Sequence, residues 1–152
     1  MMPPEIGEFF TWAELTRSIT ASRYGIPNEL TARAALALVD LVEDVLDPLR
    51  RHLGRAIAVT SGYRSPTLNA HPAVGGSRTS QHVKGEAVDI RVRGMDAASL
   101  ARGVIASGVA FDQLIWYALE RGGHVHISYR KGDNRGQVLH ARSGGGFIPL
   151  KP

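Results

Sequence analysis

The stretch "SQHVKGEAVDIRV", Ser80–Val92, sets a histidine and an aspartate seven residues apart and buries the acid in what otherwise reads as a core strand. Successive side chains of a strand point to opposite faces. In "EAVDIRV", Ala87, Asp89 and Arg91 therefore share one face, and Val88, Ile90 and Val92 share the other. The carboxylate turns away from the aliphatic core, toward a face where a cleft can lie. The same alternation in "HVHIS" puts His124, His126 and Ser128 on one face and Val125 and Ile127 on the other. If the two strands pair, His126 stands beside Asp89. His82 precedes the first strand, at the end of a Gly/Ser-rich loop that can fold back over the sheet.

Two imidazoles and one carboxylate make a three-ligand set with the fourth tetrahedral position left for water, the arrangement of catalytic zinc. Such a site keeps a formal charge of about +1, so it can acidify water and polarise a carbonyl, and hydrolysis is the natural reaction class. Taken singly, each of the three reads as an ordinary structural residue; the combination carries the chemistry. His52 on a helix, His71 in the loop and His140 near the tail are read as surface or core histidines satisfied by hydrogen bonds.

The 152 residues, 43% hydrophobic and 21% charged, fit one globular domain spanning 1–152. With no cysteine, a disulfide framework and every thiolate metal site are excluded, so a bound metal must be held by histidine, carboxylate or backbone oxygen. The opening "MMPPEIGEFFTWAEL" shows neither a basic leader nor a long apolar run, so no secretory signal is expected. No membrane span is expected either. Synthesis is expected in the cytoplasm, with any action outside requiring a separate release route. The net charge of +4 suits an anionic partner, but the arginines are scattered, and no basic helix or aromatic stacking platform points to nucleic acid.

Along the chain, Thr11 with Glu14 forms a capping box that starts a short helix. Apolar residues three or four apart from Glu29 to Leu53 predict a long amphipathic helix, capped by Gly54 and kinked or restarted at Pro48. Ala56–Thr60 reads as a strand, and Arg64–Gln81 as a long loop with one helical turn near Pro66. A helix follows from Asp96 as N-cap to Gly108, then the strands "FDQLIWY" and "HVHISY". "QVLHA" and "FIPL" are expected as two short edge strands. This order suggests α+β with a largely antiparallel sheet.

The segments "SGYRSPTLNAHPAVGGSRTSQHVKGEAVDI", "FDQLIW" and "HVHISY" together resemble the zinc D-alanyl-D-alanine carboxypeptidase family, including its phage endolysin-like members. That family belongs to a wider group of metallopeptidases that also contains lysostaphin-type enzymes and the hedgehog signalling domain. The resemblance runs from "FFTWAELTRS" to "FIPL", and its specific element is S-x-H-x6-D with a later strand histidine. It implies a hedgehog/DD-peptidase-like α+β fold, an antiparallel sheet with N-terminal helices on one face and a zinc cleft on the other. It implies zinc ligands at His82, Asp89 and His126, and a substrate-holding arginine at Arg64, whose planar fork suits a carboxylate. Ser80 and Gln81 fall in the substrate-binding region as loop-shaping or supporting groups.

Many relatives carry an acid three residues before the last zinc histidine, where this chain has Gly123. His124 is the available proton carrier, with Glu120 and Asp112 as fallbacks. The activity implied is hydrolysis of an amide bond in peptidoglycan stem peptides, foremost the terminal D-Ala-D-Ala bond, by a monomer reaching the wall through phage lysis or a virion. An endopeptidase cutting elsewhere in the stem or cross-bridge is the alternative. A non-catalytic wall-binding or virion-structural module that keeps the metal is another, kept open by Gly123.

Overall fold

Alternation of aliphatic and polar residues along four central segments dictates a sheet with one dry and one wet face, and the computed structural model, which describes residues 3–150, contains that sheet. The two residues at either end of the expected 1–152 span lie outside the described range. Six strands, β3 (Ala58–Ser61), β4 (Ala87–Arg91), β5 (Gln113–Tyr117), β6 (Val125–Ser128), β7 (Gln137–Ala141) and β8 (Phe147–Leu150), are arranged in the order β3-β4-β6-β5-β7-β8. Four of the neighbouring pairs are antiparallel, but β5 and β7 run parallel. The sheet is therefore mixed, which corrects the expectation of an antiparallel one. The chain leaves β5, returns through β6 as its antiparallel partner, and must then cross to the far side of β5, where it arrives in β5's own direction. Of the two tail segments expected at the edge, only β8 lies there; β7 is interior.

Val88, Ile90, Leu114, Val125 and Ile127 are fully buried on the dry face. They form one apolar cluster with residues of helices α3 (Ala32–Leu41), α4 (Asp47–Leu53) and α6 (Ala97–Ser107), among them Leu38, Leu41, Leu49, Leu100 and Val104. Each such side chain removed from water contributes about 1.5–3 kcal/mol. The covering layer thus includes a helix from the middle of the chain as well as the N-terminal ones.

Local signals account for most boundaries. Thr11 and Glu14 form the expected capping box at α1 (Trp12–Thr16), and Asp96 caps α6 by accepting from the Ser99 amide at 2.7 Å. The long helix is divided: α3 begins after Thr31, a π-helical turn occupies Val42–Leu46, and α4 follows with Pro48 in its first turn. Proline has no N–H to give and its ring crowds the carbonyl four residues back, so the ladder widens before restarting. The helical turn expected near Pro66 is α5 (Pro66–Ala70), capped by Ser65.

Three elements had no visible signal. β1 (Glu5–Ile6) and β2 (Phe10–Thr11) form a hairpin too short to show a period, held to α4 by the buried Asp47 carboxylate, which accepts from the Glu8 amide at 2.7 Å. Helix α2 (Ile19–Tyr24) buries only Ala21 and leaves Ile19 in solvent, so no apolar stripe marks it.

The end of β3 is pinned against α1. The Tyr63 amide donates to the Leu15 carbonyl at 2.7 Å, and a Cβ on Gly62 would overlap that same carbonyl. Gly62→Ala is therefore expected to destabilise the protein by about 1–3 kcal/mol, since backbone rather than a pliable side chain must move; a urea midpoint unchanged from wild type would contradict this packing.

Candidate functional site

Strands β4 and β6 pair in the register that sets Asp89 opposite His126, with Val88 opposite Ile127 and Ile90 opposite Val125. Asp89 and His126 thus emerge together on the wet face while their neighbours enter the core. His82 arrives from the loop side. Ser80 opens a 3₁₀ turn, Gln81–Lys84, and its hydroxyl accepts from the His82 amide at 3.3 Å. The turn closes on Gly85 in the left-handed conformation (φ 73°), lying so close on the Ala34 carbonyl that a Cβ would overlap it. His82 is left almost wholly buried at 4% exposure.

The orientation of the His82 ring is set by Gly62, whose carbonyl accepts from Nδ1 at 2.8 Å. Nε2 then carries the lone pair and faces Asp89 Oδ1 at 3.4 Å. His126 Nδ1 stands 3.2 Å from the same oxygen, and the three donor atoms lie within 4.8 Å of one another. With metal–ligand bonds of ~2.0–2.1 Å, neighbouring corners of a zinc tetrahedron are ~3.3 Å apart. The two distances to Asp89 match that edge. The imidazole–carbonyl contact is also the usual support for a metal-ligating histidine, because it selects the tautomer. The residues present therefore fit a zinc ion, and among the described residues they are the one group of acids and histidines that does.

Electrostatics point the same way. Burial pushes the Asp89 carboxyl up, but the close approach of the His126 and His82 rings, with the positive charge they can carry, outweighs it and holds it well below the usual carboxylate range. Burial pushes His82 down, against the pull of Asp89, so the ring is neutral near pH 7, as a ligand must be. His124 is likewise pushed down by burial despite Asp89. Its Nε2 is 3.9 Å from Asp89 Oδ2, and its ring is stacked on Tyr117 at 4.4 Å between centroids.

Arg64 approaches the same oxygen, Oδ2, at 3.7 Å. Its Nε donates to Ser61 Oγ at 3.2 Å and one Nη to Asn69 Oδ1 at 3.4 Å. Asn28 fixes the backbone on either side, donating to the Tyr63 carbonyl and accepting from the Ser65 amide. Arg64 is thus an oriented group with donors to spare, since guanidinium carries five.

These side chains line a cleft of about 590 Å³. Of the residues expected there, His82, Asp89, His126, Arg64, His124, Ser80 and Gln81 all line it. Gln81 is engaged structurally, its amide donating to Asp112 Oδ2 at 3.0 Å and Glu86 Oε2 at 3.2 Å. Asp112 also borders the cleft, but it is fully buried and its two oxygens are engaged by two guanidinium nitrogens of Arg135 at 3.0 and 2.8 Å. Glu120 lies exposed on the 3₁₀ turn Leu119–Arg121, outside the cleft wall. His71 accepts from the Ala73 amide, as expected of it, and His52 is exposed on α4; His140 departs from the expectation, since it is held by stacking on Trp116 and its buried Nε2 has no hydrogen-bond partner among the described residues.

The sequence reading missed Tyr117, Gln113 and Ile115, which line the cleft from β5. Their signal was present in the alternation of "QLIWY", but it has meaning only once β5 is known to pair with β6, Ile115 opposite His126. It also missed the basic rim of Lys84, Arg130 and Arg135.

A mixed sheet covered by helices on one face and carrying a His-Asp-His cluster in a cleft on the other defines a metallopeptidase-like α+β protein. The family whose description is Peptidase M15 matches residues 8–128, and the chain belongs to it. It is a metallopeptidase of this zinc-dependent, D-Ala-D-Ala carboxypeptidase-like family. The matched span contains all seven cleft residues named from the sequence and stops at the end of β6, short of the resemblance expected to reach "FIPL". No curated protein matches the chain.

Replacing His82 or Asp89 by Ala is expected to abolish stoichiometric zinc, measured by elemental analysis of the purified protein with folding checked by circular dichroism; a full equivalent of retained zinc would exclude these ligands. The Arg135 hydrogen bonds hold Asp112 at about 2, below its ordinary value. A depressed carboxyl contributes stability that is present above its unfolded pKa of about 3.9 and disappears as pH falls through about 2. Allowing for the half-exposed arginine, Asp112→Asn should cost about 1–2 kcal/mol at neutral pH and flatten the stability profile between pH 4 and pH 2. Urea titrations across that window test it.

Proposed function

We propose that the protein hydrolyses an amide bond in peptidoglycan stem peptides, foremost the terminal D-Ala-D-Ala bond, with zinc held by His82, Asp89 and His126. The observation that supports this most is the half-buried guanidinium of Arg64 beside the His-Asp-His cluster, 3.7 Å from Asp89 Oδ2: a fork for a carboxylate on the wall of the same cleft. When bound, zinc supplies the Lewis acidity that activates water and polarises the scissile carbonyl.

The chain's own residues do the rest. Arg64, tied at Ser61 and Asn69, offers its remaining N–H groups to the terminal carboxylate and so fixes which carbonyl reaches the centre. His124, neutral near pH 7 and held face to face with Tyr117, accepts a proton at Nε2 and returns it to the leaving amine. It takes the part that an acid three residues before His126 plays in many relatives, a position filled here by Gly123 in the left-handed conformation (φ 59°). Ser80 and Gln81 hold the 3₁₀ turn that carries His82 and border the substrate. As a wall enzyme it acts after release from the cytoplasm, in a phage lysis or virion setting.

A second reading, an endopeptidase cutting within the stem or cross-bridge, is favoured by one feature. Beyond Arg64 a further depression lined by Arg17, Ser18 and Ser61 adjoins the cleft, leaving room for chain on the far side.

Incubation of the zinc-loaded protein with a defined stem pentapeptide, analysed by mass spectrometry, is expected to release free D-alanine. An internal cut establishes the endopeptidase, and no cleavage with wall fragments retained leaves only the binding module. Arg64→Ala should keep the metal and lose turnover. His124→Ala should lower kcat by about 10²–10⁴-fold; a rate near wild type would remove His124 from the mechanism.

A further inference from the structure

The cleft does not end at its basic rim. Lys84, Glu86 and Arg130 line the catalytic cleft and also an adjoining basin of about 340 Å³ against α3, where Arg33 joins them beside Ala34 and Ala37. Arg64 borders a different depression, so it and Arg130 mark two separate exits of the cleft. The basin therefore lies away from the group assigned to the terminal carboxylate.

Its charge is one-sided. Arg33, Lys84 and Arg130 face a single carboxylate, Glu86, which is already engaged as acceptor of the Gln81 amide at 3.2 Å. Arg130 is paired with Asp133 at 2.9 Å, but both partners are exposed, so that pair is weak and readily exchanged for another anion. Neither Arg33 nor Lys84 has an ion-pair partner among the described residues. A neutral peptide chain offers no partner to three cations lining one basin. A chain carrying a second carboxylate does.

We infer that this basin is a distal subsite that selects stem peptides with a free side carboxylate on the N-terminal side of the cut, over the same peptides with that group as a carboxamide. The inference rests on the stem-peptide reading above and adds the charge state of the substrate. Lys84 and Arg130 are its specificity-determining residues, with Arg33 contributing from α3. The attraction is between exposed charges and is screened by salt within a Debye length of about 8–10 Å.

The test uses a pair of stem pentapeptides differing only in one side carboxylate or carboxamide. Binding to the full chain is measured by calorimetry with Asp89→Asn to block turnover, or with chelated wild type should that variant not fold. Three weak pairs predict roughly threefold to tenfold tighter binding of the acid peptide at low salt. The preference should fall toward one in K84Q/R130Q and at high ionic strength. Equal affinity for the two peptides, or a preference untouched by K84Q/R130Q, overturns the subsite. Cleavage of the pair by zinc-loaded wild type is followed in parallel. If neither peptide is cut, the proposed activity fails while the affinity ratio still decides the subsite.

Discussion

The pairing of β4 with β6 in a single register is the constraint on which the site depends. Asp89 faces His126 only because Val88 and Ile90 face Ile127 and Val125 across the same ladder, and those four aliphatics are fully buried. A slip of one residue would drive the carboxylate and the imidazole into the apolar layer and turn the aliphatics to water. The core and the chemistry are specified by one choice. The energy that keeps the ligands convergent is hydrophobic, and it comes from residues that never touch the substrate.

Around that ladder the remaining parts are brought in by backbone contacts. Gly62 is central: lacking a Cβ, it lets β3 end against Leu15, and its carbonyl sets the tautomer of His82. A buried imidazole lone pair aimed at a carboxylate oxygen is unfavourable unless a cation stands between them. At Asp89 the His82 nitrogen so placed converges with His126 Nδ1 on one oxygen, and the second oxygen faces Arg64 and His124. Four nitrogen-bearing groups turned on one acid describe a site arranged around positive charge.

Much of this was legible in the sequence, for definite reasons. Alternation in "EAVDIRV" and "HVHIS" placed Asp89 and His126 away from the core because a period of two survives any tertiary arrangement, and His82 joined them through the family resemblance. The caps at Thr11, Asp96, Gly54 and Gly108 were legible because each is settled by its neighbours within one turn. What stayed hidden depends on partners far along the chain. The parallel placement of β7 beside β5, the use of Tyr117 and Ile115 as cleft wall, and the clamping of Asp112 by Arg135 have no local signature. The π turn at Val42–Leu46 was foreshadowed by Pro48 but not its form, since a proline states where the ladder fails and not how it is mended.

The two last strands have a bearing on solubility. The family match ends with β6, and in the sheet β5 is flanked on one side by β6 and on the other by β7, which β8 then borders. Were the chain cut after Ser128, "QLIWY" would become a bare edge, a flat apolar ribbon with unpaired amides directly behind the catalytic wall. β7 and β8 carry that border outward to "FIPL", where a proline interrupts the row of donors and discourages a second molecule from adding on.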